Sequence, residues 1–298
     1  MGLLALFWGS SFLWIKMGLA SFTPVQMTFV RLVLGSAVLV VLCYAAKQRL
    51  PKDRKLWGHL AVSALIGNAI PFTLFAIGEE TVDSGVAGVL NATTPLWVLL
   101  IGLTLGTERN LSPVRLSGLI LGFLGTLLIF APWQSGELTS WGALIILVAA
   151  MCYAVSFAYI GRFLSGRGLP SITLSASQII AATGLTALAL PFSGFEPIHL
   201  RLDAAIAVVI LGIVGTGFAF ALNYRLITDE GPTNAAAVGY LLPVVSVLLG
   251  ALALDETLNP RVVAGMVVVL GGVAMTRVRR RLPVPHPPAI IEPAVSRP

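Results

Sequence analysis

TTPLWVLLIGLTLGTE, residues 93–108, sets a proline inside an apolar run and closes on a glutamate, and LLPVVSVLLGALALDE, residues 241–256, does the same. Pro243 minus Pro95 is 148, and Glu256 minus Glu108 is also 148. A proline and a glutamate shared at one spacing point to the duplication of something longer, and the rest of the chain carries it. SFLWI at Ser11 to Ile15 returns as SFAYI at Ser156 to Ile160. Gly67, Phe72 and Leu74 match Gly215, Phe220 and Leu222 at the same offset of 148, and after a one-residue slip Gly118 and Gly125 match Gly265 and Gly272.

The repeated unit has the composition of a bilayer protein. Of 298 residues, 57% are hydrophobic and 11% charged, against roughly 25% charged in a soluble domain. Thirty glycines and eighteen prolines suit membrane helices, where close backbone approach and broken turns have uses. Windows of about 20 apolar residues, enough for a hydrocarbon core of about 30 Å, fall near 3–20, 24–46, 56–78, 84–106 and 112–131. A second five fall near 140–164, 171–192, 202–225, 232–254 and 259–277. The first stretch lacks a basic start and a small-residue cleavage motif, so it reads as a retained span. Cys43 and Cys152, the only cysteines, lie inside apolar runs, which suggests neither a disulfide framework nor a metal site. Residues 282–298 are proline-rich and are expected to form a disordered cytoplasmic tail.

Lysine and arginine set the expected orientation, because short cytoplasmic loops hold the excess. Lys47, Arg49, Lys52, Arg54 and Lys55 crowd the loop after the second span, and Arg277, Arg279, Arg280 and Arg281 follow the tenth. Arg109, Arg115, Arg162, Arg167 and Arg225 fall near loops of that same side, whereas the opposite loops hold little beyond Arg201 and Arg261. Both termini are therefore expected in the cytoplasm. The formal charge of +6 follows from this loop rule and gives no reason to expect nucleic acid as a partner.

Five spans per half is an odd number, so the second half must enter the membrane from the opposite side. The sequence predicts an all-α integral membrane protein of ten transmembrane helices in two inverted-topology repeats, residues 1–131 and 140–280. Inverted repeats are the architecture of many secondary transporters, with the substrate site at the repeat interface near mid-bilayer. The ten spans, the W-G-S-S-F opening at Trp8 to Phe12 and the proline-to-glutamate segments resemble the EamA-type members of the drug/metabolite transporter superfamily. Within it the chain is similar to amino-acid and metabolite exporters of the YddG type. That resemblance implies export of amino acids, aromatic ones included, across the inner cell membrane.

Several groups can handle such a substrate. In an unbroken helix Pro95 deprives the carbonyl of Asn91 of its partner, Pro243 does the same to Gly239, and Pro71 to Gly67. Unpaired carbonyls in hydrocarbon cost several kcal/mol each, and they are tolerable where they face water or a ligand such as an ammonium; a packing kink is the alternative. Trp8, Trp14, Trp97, Tyr153, Tyr159 and Tyr240 lie within spans, where aromatic faces either stack on a substrate or hold a cation, or simply pack. Trp57, Trp133 and Trp141 lie near span ends and read as an interface belt. Lys16 and Arg31 are basic residues within the first two spans, each a candidate partner for a carboxylate, with snorkelling as the alternative. Asn68, Asn91, Gln178 and Asn223 are the amides within spans, for which helix-to-helix bonding is the alternative. Ser11 and Ser156 join the candidates as matched positions of the repeat.

What is absent also narrows the function. No Asp, Glu or His falls in a span centre, with His59 near an inner end and Glu108 and Glu256 at span ends. Proton-coupled transporters use intramembrane relays of such residues, so a facilitator is expected. A Walker loop, a zinc signature and a Ser/His/Asp constellation are all missing, so no cofactor, metal or enzymatic activity is expected. The partners are a small-molecule substrate and the lipid bilayer. A broader metabolite or drug exporter remains an alternative, as does a membrane enzyme or lipid scramblase.

Overall fold

In the computed structural model of the chain, residues 1–106, 112–134, 138, 140–192, 196–199, 201–254 and 260–276 are described. Glu108, Glu256, Arg109, Arg277, Arg279, Arg280, Arg281 and the proline-rich tail, all assigned roles from the sequence, lie outside these residues. Helices α1 (Gly2–Gly9) and α2 (Ser11–Gly18) join at Ser10. Its hydroxyl donates back to the carbonyls of Leu6 (3.1 Å) and Phe7 (3.2 Å), a back-bonding pattern that bends helices. Helix α3 (Pro24–Ala45) opens on a capping box in which Thr23 and Gln26 satisfy each other's backbone N–H, with Pro24 in the first turn. Then come α4 (Arg54–Ala64), a π turn at Leu65–Ala69, α5 (Ile70–Gly78), α6 (Ser84–Asn91), α7 (Thr94–Thr104) and α8 (Pro113–Phe130).

The second half follows the same order. Helix α9 (Trp141–Tyr159) runs into a π turn at Ile160–Leu164, and α10 (Ser171–Ala189) follows. Helix α11 (Leu202–Gly212), a π turn at Ile213–Phe218 and α12 (Ala219–Glu230) make one rod. Helix α13 (Pro232–Ala236), a 3₁₀ turn at Ala237–Tyr240 and α14 (Leu241–Leu254) make the next, and α15 (Pro260–Thr276) is the last described helix. Among the described residues, seven helical stretches are long and apolar enough to cross a membrane: Pro24–Ala45, Arg54–Gly78, Val86–Thr104, Pro113–Phe130, Trp141–Leu164, Ser171–Ala189 and Leu202–Glu230. Gly2–Gly18 and Pro260–Thr276 are shorter apolar helices.

The broken rods repeat at the sequence offset. Helix α4 begins at Arg54 and α11 at Leu202 (202 − 54 = 148), and their π turns begin at Leu65 and Ile213 (213 − 65 = 148). Pro71 stands in the first turn of α5, directly after a π turn whose wider bond runs from the Ile70 N–H to the Leu65 carbonyl. The matching turn at Ile213–Phe218 contains no proline. What the two turns share is a glycine at a close approach: a Cβ on Gly67 would collide with the Ser156 hydroxyl, and one on Gly215 would sit 3.0 Å from the Ser11 hydroxyl. Each repeat-matched serine thus meets the matched glycine of the other half.

Helices α8 and α15 cross on glycine as well. A Cβ on Gly118 would lie 2.6 Å from the Gly272 carbonyl oxygen, and one on Gly125 would lie 2.9 Å from that of Gly265. The numbering runs in opposite directions, so the helices are antiparallel, and only glycine lets their backbones come this close.

The repeated prolines stand at helix breaks in both halves. Pro95 lies in the first turn of α7, after a break at residues 92 and 93, and Pro243 lies in the first turn of α14, after the 3₁₀ turn. A first-turn N–H has no intrahelical partner to lose, so Pro95 opens α7 at no cost in hydrogen bonds.

Candidate functional site

The breaks converge on a cavity between the two halves. From the first half come Trp8, Ser11, Phe12 and Ile15 of α1 and α2, Arg31 of α3, Gly67 of the first π turn, Phe72 and Phe75 of α5, Asn91 of α6 and Thr94 of α7. The second half supplies Tyr153, Ser156, Phe157, Ile160, Gln178, Phe220, Asn223, Ala236, Gly239 and Leu242. The enclosed space is about 90 Å³, room for on the order of six waters.

Aromatic rings make most of its wall. Phe72 and Phe220, matched across the repeat, meet edge-to-face at 6.0 Å, and Trp8 meets Phe220 in the same way at 5.9 Å. Phe75 stacks on Tyr153 at 5.6 Å and is also approached by Phe12 at 6.0 Å. The Trp8 indole N–H donates to the Gly215 carbonyl at 3.2 Å, which ties a cavity wall to the second π turn.

Arg31 is the charge inside this wall, and it is 6% exposed. Its Nε donates to the Thr216 hydroxyl at 2.7 Å, and its guanidinium carbon lies 3.7 Å from the centre of the Phe72 ring. Among the described residues no carboxylate makes an ion pair with it; those ion pairs are Arg201–Asp203 and Arg225–Asp229, both at the surface. A buried guanidinium held by a hydroxyl and an aromatic face has donors left for an anionic group. Asn223 is its counterpart: at 3% exposure, its side-chain carbonyl oxygen is buried without a hydrogen-bond partner. The cavity therefore offers a cationic donor and a free acceptor within one apolar enclosure.

Of the residues singled out from the sequence, Trp8, Ser11, Arg31, Gly67, Asn91, Tyr153, Ser156, Gln178, Asn223 and Gly239 line this space. Eight others fall around it. Lys16 reaches the end of α5, where its ammonium donates to the carbonyls of Glu79 (2.9 Å) and Val82 (3.3 Å), a cation on the exposed carbonyls of a helix C-terminus. Asn68 accepts from Gln178 at 2.6 Å. Gln178 accepts in turn from Ser63 at 2.8 Å and from Tyr224, so this network locks α4, α10 and α12 together beside the cavity. The Tyr159 hydroxyl pairs with His59 Nδ1 at 2.7 Å. Trp14 packs against a core cluster that contains Ile15 and Met27, and Trp97 against one that contains Val98 and Tyr224. Tyr240 is enclosed by Leu99, Leu119 and Val269, and Pro243 is buried. Pro95 lies against Gly239, at the margin.

Sequence reasoning passed over Phe12, Phe72, Phe75, Thr94, Phe157 and Phe220 as cavity residues. Phe72 and Phe220 already stood out as a repeated pair, which was the available signal. Trp133 and Trp141 are exposed, as an interface belt requires, while Trp57 is partly buried and donates to the Pro51 carbonyl at 2.8 Å.

The model of the EamA-like transporter family matches residues 1–131 and again residues 140–278. The chain belongs to the EamA-like transporter family. It is similar to the uncharacterized transporter YdfC of Bacillus subtilis, 29% identical over 273 residues covering 90% of this chain and 87% of the relative. It is also similar to the uncharacterized inner membrane transporter YedA of Escherichia coli, 29% identical over 269 residues covering 86% and 82%. A solved crystal structure superposes with a TM-score of 0.75 at 22% identity, covering 93% of this chain and 94% of that one, which establishes a shared fold. The protein is thus a membrane transporter of the drug/metabolite superfamily with a small-molecule substrate, and its family and relatives point to transport and away from enzymatic activity.

Proposed function

We propose that this EamA-family transporter moves amino acids out of the cytoplasm by alternating access, with ten spans arranged as two inverted halves, residues 1–131 and 140–280, and both termini in the cytoplasm. One observation carries the substrate class: a buried guanidinium with no carboxylate in ion-pair contact among the described residues and a buried amide oxygen without a hydrogen-bond partner share one aromatic-walled cavity. A zwitterion satisfies both, its carboxylate at Arg31 and its ammonium at Asn223. The aromatic wall then receives an apolar or aromatic side chain. The inverted arrangement is supported by the 148-residue phase of the π turns, by the reciprocal Ser11–Gly215 and Ser156–Gly67 contacts and by the antiparallel crossing of α8 and α15. A transporter specialised for organic cations would not keep a buried arginine without an ion-paired carboxylate in its site.

Proteoliposomes loaded with labelled amino acids test this directly. Phenylalanine should leave protein-containing vesicles faster than protein-free ones, and phenethylamine, which lacks the carboxylate, should not. Arg31→Gln removes a charged hydrogen-bond donor worth about 1.5 to 3 kcal/mol, so the phenylalanine affinity should fall roughly tenfold to a hundredfold. Equal transport of the amine and the amino acid would overturn the assignment.

A further inference from the structure

Lys16 draws attention to the residue beneath it. Glu79 caps α5, and although it stands one residue past the end of a span, its side chain is 0% exposed. One carboxyl oxygen receives a long hydrogen bond of 3.5 Å from the Ser84 hydroxyl, and the other is buried with no partner at all. The nearby ammonium of Lys16 is spent on the backbone carbonyls of Glu79 and Val82 and makes no ion pair with the carboxylate. A carboxylate enclosed with half its acceptor capacity empty is a poor anion and a good place for a proton. The expectation of a facilitator rested on the lack of such a group at a span centre; Glu79 is a buried carboxyl at a span end.

We propose that Glu79 is a proton-binding site whose charge sets how strongly Arg31 holds a substrate carboxylate. The coupling rests on the assignment of Arg31 as the carboxylate anchor. The charged and titratable groups that act on Glu79 electrostatically are Lys16 of α2, Arg31 of α3 and the Tyr153 phenol of α9, and Arg31 and Tyr153 both line the cavity. Within its own turn, Glu80 and Asp83 are exposed. Burial pushes the Glu79 carboxyl well above the usual carboxylate range, with Lys16, the Ser84 hydroxyl and Arg31 pulling it back. When Glu79 is ionised, its negative charge competes with an incoming carboxylate for the field of Arg31. When it is protonated, Arg31 is left to the substrate. By linkage, a bound carboxylate raises the proton affinity of Glu79 by the same factor.

The test measures phenylalanine dissociation constants and thermal midpoints of the purified full chain against pH, for the wild type and Glu79→Gln. Affinity in the wild type should weaken by about 5- to 150-fold, the usual span of coupling between sites, as pH rises through the Glu79 titration. Glu79→Gln should hold the low-pH affinity throughout. The native state binds the Glu79 proton more tightly than the unfolded chain, so the wild-type midpoint should fall from the ordinary carboxylate range up to the raised native value. That fall should be missing from Glu79→Gln. Should this variant fail to fold, Ser84→Ala, which removes a donor favouring the ionised form, should move both profiles to higher pH. Parallel profiles in wild type and variant overturn the proposal. If neither protein binds phenylalanine, the assignment of Arg31 falls, and the coupling with it, while the melting profiles still decide whether Glu79 takes up a proton.

Discussion

Arg31 sits about a third of the way along α3, where a cation in hydrocarbon must find its own compensation. It uses the face of Phe72 and one threonine hydroxyl, and this sets what a substitution will do. Lysine keeps the charge but not the planar fork that lies on a ring, and a desolvated cation–π contact is worth about 2 kcal/mol. Arg31→Lys should therefore raise the half-saturating concentration of phenylalanine roughly 30-fold, and Phe72→Leu should do the same with the arginine in place. A wild-type value in either variant would mean that the stack contributes nothing to binding. Arg31 was legible in the sequence because a charge in an apolar window is conspicuous. Phe72 and Phe220 were not legible as cavity residues, because phenylalanine is common in such windows and one sequence gives a residue's phase along a helix without saying which neighbour it faces. Glu79 was legible only as a carboxylate at a span end, and it is the fold over it, from Lys16 to Ser84, that takes it out of solvent.

Among the elements, the broken rods carry the design. Prolines drew attention to the breaks, yet the π turn at Ile213–Phe218 forms without one, on a segment whose Gly215 and Gly217 are weak helix formers. The legible feature was the pair Gly67 and Gly215, whose missing side chains make room for Ser156 and Ser11. Substituting alanine into such a space overpacks it, at about 1 to 3 kcal/mol. Gly67→Ala should lower the thermal midpoint and slow transport, whereas Gly58→Ala, at a helical site with nothing within 4 Å of the added carbon, should raise stability by about 0.4 to 1 kcal/mol. If both variants melt like the wild type, the close approach at Gly67 is not a constraint. The crossing of α8 and α15 predicts a stronger loss, since a leucine at Gly272 meets backbone at 2.5 Å from the Gly122 nitrogen and 2.6 Å from the Gly118 oxygen. Gly272→Leu should fail to give folded protein on size-exclusion chromatography in detergent.

At the scale of the whole molecule, the duplication was the most legible property of the chain, because its phase survives at few positions but in one order. The enclosure of a shared site was less legible, since it depends on how the halves interleave and not on either half alone. The opposite orientation proposed for them is what would allow one site to face each side of the membrane in turn, and the starts of α4 and α11 give a direct handle on it. Arg54 and Leu202 are repeat-matched, both exposed, and each opens its helix. With Cys43 and Cys152 replaced by alanine, a cysteine is placed at one or the other position and intact cells are treated with a membrane-impermeant thiol reagent. Leu202→Cys should react from outside, and Arg54→Cys only after the cells are opened. Labelling of both from the same side would make the two halves parallel, and one cavity could not then be offered to the two faces of the membrane by their exchange.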